Sequence, residues 1–188
     1  MYFHASSVKG IEKLEPHVSN HGIPLIYFST KRENVLVYLS NAVEKYCRET
    51  GFEGSGKWHK WGPYGFNRDG ILCLEEYYPN ALKETYQGVS GYIYGAETIT
   101  ALDYPLQIPD AAVSNVPIPV TDCEFVPDAY DAIISAEKEG LISVLRYEKC
   151  SEAKLAWIER TMREEYKNAV DRPEYRHFLE GKFPFVLR

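Results

Sequence analysis

Tyr27 and Tyr38 stand eleven residues apart, the first in a short apolar run and the second on a stretch with helical spacing. Where a strand ends and a helix begins, their side chains converge, so two rings placed this way can face a common pocket. A second group with chemical potential is Trp58-His-Lys-Trp-Gly-Pro-Tyr-Gly-Phe66, in which aromatic rings interleave with Lys57, Lys60 and Arg68. Such a stretch either stacks on flat heterocycles such as bases or folds its rings down over the core through its Gly and Pro bends. Gly51-x4-Gly56-Lys57 has the spacing of a phosphate-binding loop, but Trp58 stands where a metal-binding Ser or Thr is required, and the segment follows a helical stretch. A P-loop hydrolase would need that segment to follow a strand. His17 and His21 are four apart, as metal ligands on a helix would be, yet they fall between Pro16 and Gly22, which reads as a solvated loop with no metal site. The four cysteines form no CxxC pair and read as reduced, mostly buried thiols.

The elements that must position these residues can be read from pattern. Tyr2 to Ser6 is a candidate first strand, followed by a turn through Lys9-Gly10 and an irregular segment at Leu14-Glu15-Pro16. Pro24-Leu-Ile-Tyr-Phe-Ser29 reads as a buried strand. Ser29 or Thr30 then offers a helix cap, and Val35, Leu36, Leu39, Val43 and Tyr46 recur at helical spacing as far as Cys47. Further strands are expected at 70–77, 91–96 and 141–147, with one or two at a sheet edge between 111 and 126, where Pro117 and Pro119 cannot donate to an interior ladder. Helices are expected at 79–86, 127–139 and 151–170, the last with Ser151 as cap and Glu152, Glu159, Arg160 and Arg163 on its wet face. The aromatic and basic tail from Glu174 to Arg188 should pack against the body. This order of segregated elements points to an α+β class rather than a doubly wound parallel sheet.

Composition bounds the function. The chain has 188 residues, enough for one domain with a full core, and 45% of them are hydrophobic. Twenty-one basic against 27 acidic residues give a net charge of −6, which disfavours non-specific binding to duplex phosphate while leaving room for a local basic groove. No run of about 18 apolar residues suits a membrane span, and the amino-terminal residues lack a signal-peptide layout, so a cytoplasmic location with no membrane partner is expected.

The run Ile26-Tyr27-Phe28-Ser29, followed by a second tyrosine at Tyr38, resembles the corresponding stretch of the poly(ADP-ribose) polymerase type of ADP-ribosyltransferase. The other half of that family's signature is an earlier strand ending in His-Gly-Ser or His-Gly-Thr. The opening Tyr2-Phe3-His4-Ala5-Ser6 is similar with one change. The resemblance covers roughly the first 47 residues. It implies an ADP-ribosyltransferase-like α+β fold over 1–188, with two small antiparallel-rich sheets and flanking helices, and NAD as a substrate.

Carried over position by position, the resemblance implies that His4 bonds a ribose hydroxyl of NAD and that the backbone of Ala5 meets the nicotinamide carboxamide. Tyr38 would stack on the nicotinamide ring, and Tyr27 would line the same pocket. Three departures stand out. Ala5 replaces a glycine and restricts the backbone. Val35 replaces a serine that often bonds the carboxamide. Where the family's catalytic glutamate begins a late strand, Val113-Ser-Asn-Val-Pro-Ile-Pro119 offers Asn115 or Val116. The implied catalytic set is therefore His4, Tyr27 and Asn115, with Glu97 or Glu124 as carboxylates that folding can bring near. Two functions fit: NAD-dependent ADP-ribosyl transfer to a protein or nucleic-acid acceptor, and a non-catalytic module that binds a nucleotide or nucleic acid through the Trp58 to Phe66 loop.

Overall fold

The computed structural model describes residues 1–18, 22–56, 58–106 and 108–188. Its strands are β1 (Tyr2–Ser6), β2 (Lys13–Leu14), β3 (His17–Val18), β4 (Pro24–Ser29), β5 (Tyr64–Phe66), β6 (Leu72–Glu75), β7 (Gly91–Ala96), β8 (Ala111–Ser114), β9 (Ile118–Pro119), β10 (Asp122–Val126) and β11 (Ser143–Leu145). The α-helices are α1 (Ala42–Glu49), α2 (Ala81–Tyr86), α3 (Ala129–Lys138), α4 (Glu152–Asn168) and α5 (Pro173–Lys182).

The class is mixed α+β, with antiparallel sheets flanked by helices. The largest sheet has six strands in the order β10-β7-β1-β4-β3, with β8 also paired to β4. It is antiparallel throughout: His4 lies opposite Tyr94, Glu124 opposite Ile93, and Tyr27 opposite Val113. A three-stranded sheet, β11-β6-β5, has one parallel and one antiparallel pair, and β2 pairs with β9. The arrangement is thus more unequal than the expected two small sheets. Pro119 sits in the two-stranded pair β2-β9, in keeping with proline exclusion from interior ladders, while β10, which holds no proline, forms an outer strand of the large sheet.

One face of the large sheet buries Ala5 and Ile93 beneath Leu36, Leu39, Leu82 and Ile133, from the segment after β4 and from α2 and α3. The opposite face packs Phe28 and Tyr94 against Leu14 and Ile118 of the two-stranded pair. A separate cluster joins α1, α4 and α5 around Trp61, Tyr175, Phe178 and Phe183. Each such fully buried side chain contributes roughly 1.5–3 kcal/mol of transfer free energy. Glu76, buried beside α2, accepts from Leu82 N at 3.0 Å and Tyr147 N at 3.2 Å, so its carboxylate ties β6 to two neighbouring segments.

Several local expectations are revised. The single helix expected after β4 is two elements: a 3-10 segment, Arg32–Tyr38, and then α1, separated by Leu39, Ser40 and Asn41. The reason is burial: Asn34, Val35, Leu36 and Val37 are all enclosed, and four consecutive residues cannot share one face of an α-helix. The irregular segment at 14–16 contributes Leu14 to β2, and His17 lies in β3 opposite Leu25, while His21 lies outside the described residues. Residues 64–66 form a strand inside the aromatic stretch, and the tail folds as α5 and a short 3-10 turn, with Phe178, Leu179 and Phe183 buried. Cys47 is buried, but Cys123 is exposed, and Cys73 and Cys150 are half-buried. The glycine-rich segment follows α1, which removes the strand context a P-loop requires; Lys57 lies outside the described residues.

Candidate functional site

Strands β1 and β4 meet at a single register pair, Phe3 opposite Ser29. Past that pair β1 continues along β7 while β4 continues along β8, and an opening lies between them. His4 spans the gap: its Nδ1 lies 2.9 Å from the Tyr27 carbonyl oxygen. That contact requires Nδ1–H as donor, which leaves Nε2 as the ring's acceptor. Burial holds the His4 pKa below the usual imidazole value, against the opposing pull of the Tyr27 carbonyl, with His17 adding a smaller downward effect. Its ring packs edge-on against Phe28, with centroids 6.1 Å apart.

A cavity of about 260 Å³ occupies this opening, lined by His4, Ala5, Ser6, Ser7, Tyr27, Tyr38 and Lys60. Thus the four residues expected to bind a nicotinamide nucleotide, His4, Ala5, Tyr27 and Tyr38, line one space. A second cavity of about 460 Å³ shares His4, Ser6 and Tyr27 with the first and is bounded further by Leu14, Glu15, His17 and Ile26. His4 and Tyr27 therefore border both cavities.

Tyr38 ends the 3-10 segment and remains 43% exposed. Its ring meets that of Tyr64 at 84° with centroids 6.4 Å apart, and the two hydroxyls lie 3.2 Å apart. Desolvation raises the Tyr38 hydroxyl pKa well above the ordinary phenol value, with Tyr64 and Tyr27 adding to the effect, so the group stays neutral and able to donate. Lys60 reaches the same cavity from the aromatic stretch. Its Nζ donates to the Ser40 carbonyl at 2.8 Å, and burial lowers its pKa against the opposing influence of Glu44. The halt at Ser40, which breaks the expected helix, is thus also what anchors this lysine.

Asn115 is not brought to this space. It is exposed in the bend after β8, where Ser114 Oγ donates to the Val116 carbonyl at 3.1 Å, and it lines neither cavity. Glu97 is exposed just past the end of β7. Glu124 lies on β10 and takes both arms of Arg32, one through Arg32 Nε at 2.7 Å to Oε2 and the other through Nη2 to Oε1. That pair lowers the Glu124 pKa, chiefly through the hydrogen bond from Arg32. None of the described residues lining the smaller cavity is acidic. In the larger one the carboxylate is Glu15, paired with Lys13 at 3.0 Å.

Sequence reasoning missed Ser6, Ser7 and Glu15 as cavity residues and placed Lys60 only within an aromatic-basic stretch. Nothing local marks them, since strand divergence and loop return bring them together. Among the described residues no group of three His, Cys, Asp or Glu side chains is positioned to hold a metal, and no helix is long and apolar enough to cross a membrane. Comparison of the chain with protein-family models, curated proteins and solved structures finds no match.

Proposed function

We propose that the chain is an ADP-ribosyltransferase-like protein that binds NAD in the cleft between β1 and β4 and transfers ADP-ribose to a protein or nucleic-acid acceptor. The observation that carries this reading is the convergence of His4, Ala5, Tyr27 and Tyr38, from three separate elements, on one cavity, with a second cavity also bordered by His4 and Tyr27. The smaller cavity, mostly apolar and walled by two tyrosines, suits a single flat ring, and the larger one, across His4 and Tyr27, has room for the remainder of a dinucleotide. In the reaction the bond between the nicotinamide nitrogen and ribose C1′ breaks, and its electron pair leaves with neutral nicotinamide. An acceptor nucleophile then bonds C1′ and releases its proton. A neutral His4 has Nε2 free to accept from a ribose hydroxyl, and the neutral Tyr38 ring presents a stacking face.

A second reading, binding of NAD without its consumption, is favoured by the absence of an acidic side chain among the described residues of the smaller cavity, because positive charge develops on the sugar as the bond breaks. Calorimetric titration with NAD beside an assay for released nicotinamide tests both. Binding with release supports transfer, binding without release supports the second reading, and silence in both assays overturns the proposal.

A further inference from the structure

Tyr38 walls the smaller cavity from a place with little to hold it. It is the last residue of the 3-10 segment, its side chain is exposed, and the chain turns away at Leu39 toward α1. A ring in such a place spreads over several staggered rotamers unless a neighbour favours one of them. Tyr64 is that neighbour. The two rings stand at 84° with centroids 6.4 Å apart, the perpendicular arrangement that aromatic pairs favour. Their hydroxyls, 3.2 Å apart, are long for an O–H···O bond, so the ring contact does more than the hydroxyl contact to set the orientation.

Tyr64 is itself well fixed. It lies on β5 opposite Leu74 of β6, and Glu75 N donates to the Pro63 carbonyl at 2.9 Å just ahead of it. Its ring is half-buried, packs against the core beneath the large sheet and meets Phe66 edge-on at 6.2 Å. The buried Tyr86 of α2 places its hydroxyl 3.4 Å from the Val37 carbonyl oxygen, beside the peptide that leads into Tyr38. Among the described residues lining the smaller cavity none belongs to the three-stranded sheet, so that sheet bears on the cleft through the Tyr64 ring.

We infer that Tyr64 is a positioning residue of the cleft: it holds the Tyr38 ring in the orientation that walls the smaller cavity and stacks on the nicotinamide ring of NAD. The role rests on the reading that the cleft binds NAD. Tyr64 touches no ligand in it. It acts through Tyr38, by ordering that ring before NAD arrives, and such pre-ordering of one side chain is worth roughly threefold to tenfold in affinity.

The test is calorimetric titration with NAD of the parent chain, Tyr64→Phe, Tyr64→Leu, Tyr38→Ala and the double variant Tyr38→Ala/Tyr64→Leu. Tyr64→Phe keeps the ring and should bind within about twofold of the parent, whereas Tyr64→Leu keeps apolar bulk without the ring and should bind roughly threefold to tenfold more weakly. In the Tyr38→Ala background the same leucine should change affinity by less than about twofold, because the ring through which Tyr64 acts is gone. A general loosening of β5 would cost as much in both backgrounds. Fluorine relaxation of the chain carrying 3-fluorotyrosine, with the Tyr38 signal assigned through Tyr38→Phe, reads the ring without NAD. It should show an ordered Tyr38 ring in the parent and in Tyr64→Phe, and a more mobile one in Tyr64→Leu. A parent chain that takes up no NAD overturns the NAD reading and this role with it. NAD binding by the parent with equal leucine losses in both backgrounds overturns the role alone, as does a Tyr64→Phe variant as weak as Tyr64→Leu. A Tyr38 ring already mobile in the parent overturns it with no variant at position 64.

Discussion

Tyr38→Ala separates a binding role from a packing role because of where the ring sits. An aromatic side chain buries on the order of 200 Å² when fully enclosed, and with Tyr38 43% exposed, about half of that is removed from water. At about 25 cal/mol per Å², reduced for a denatured chain that is already partly compact, truncation costs roughly 2 kcal/mol, including little from the long hydroxyl contact with Tyr64. A fully enclosed aromatic such as Phe178, at 0% exposed, would cost about 3–5 kcal/mol. The domain should therefore still melt cooperatively, at a temperature well above that of Phe178→Ala. Loss of stacking on a flat ligand ring is worth about 1–3 kcal/mol, so NAD affinity should fall roughly 5- to 150-fold. Tyr38→Phe keeps the stacking face and loses the Tyr64 contact, so its affinity should stay within a few-fold of the parent chain. The assay pairs calorimetric NAD titration with thermal denaturation of all four proteins. If Tyr38→Ala melts no higher than Phe178→Ala, or if it binds NAD as tightly as the parent, the reasoning is refuted.

With its folded-state pKa held below the unfolded value of about 6.5, His4 is neutral in the native protein, and the unfolded chain binds its proton first as pH falls. The stability it supports is full above about pH 6.5 and is lost as pH drops through the lower native value; His59 is shifted the same way, by burial and then by Arg172, so His4→Gln should make the decline shallower without abolishing it. Urea unfolding across that window checks this, and an unchanged slope would count against it. Gly91 begins β7 where an added Cβ would lie 3.0 Å from the Ser6 carbonyl oxygen and against a Leu39 methyl, so Gly91→Ala should destabilise by roughly 1–3 kcal/mol through overpacking. Unaltered thermal stability of that variant would show that β1 can yield.

Elements with strong local punctuation were legible in the chain. Tyr2–Ser6, Pro24–Ser29 and Gly91–Ala96 are apolar, aromatic runs between turn formers, and they are strands; Ser151 caps α4 by accepting from Lys154 N at 3.2 Å. Asp128 likewise caps α3, and Gly140 follows its end with a φ of 74°. Pattern reading failed where burial, and not periodicity, set the backbone. Val35, Leu36 and Val37 look like part of an amphipathic helix in sequence, but enclosure on several sides tightens them into a 3-10 segment. The tail was read as a packing segment and the aromatic stretch as either a stacking surface or a loop folded over the core, and only their tertiary neighbours make α5 and β5 of them.

The residue types of the cleft and two of its walls are local facts of the chain, written in the β4 run and in the eleven-residue step from Tyr27 to Tyr38. That β1 and β4 part after one register pair, and so open the space between them, emerges from the fold alone. The fold also selects which polar groups reach that space: Lys60 enters by way of the Ser40 carbonyl, while Asn115 and Glu124, at positions the sequence could nominate, are held elsewhere by a strand's end and by Arg32. Ring and strand identities are written in neighbouring residues, whereas the meeting of distant side chains depends on how whole strands diverge and loops return.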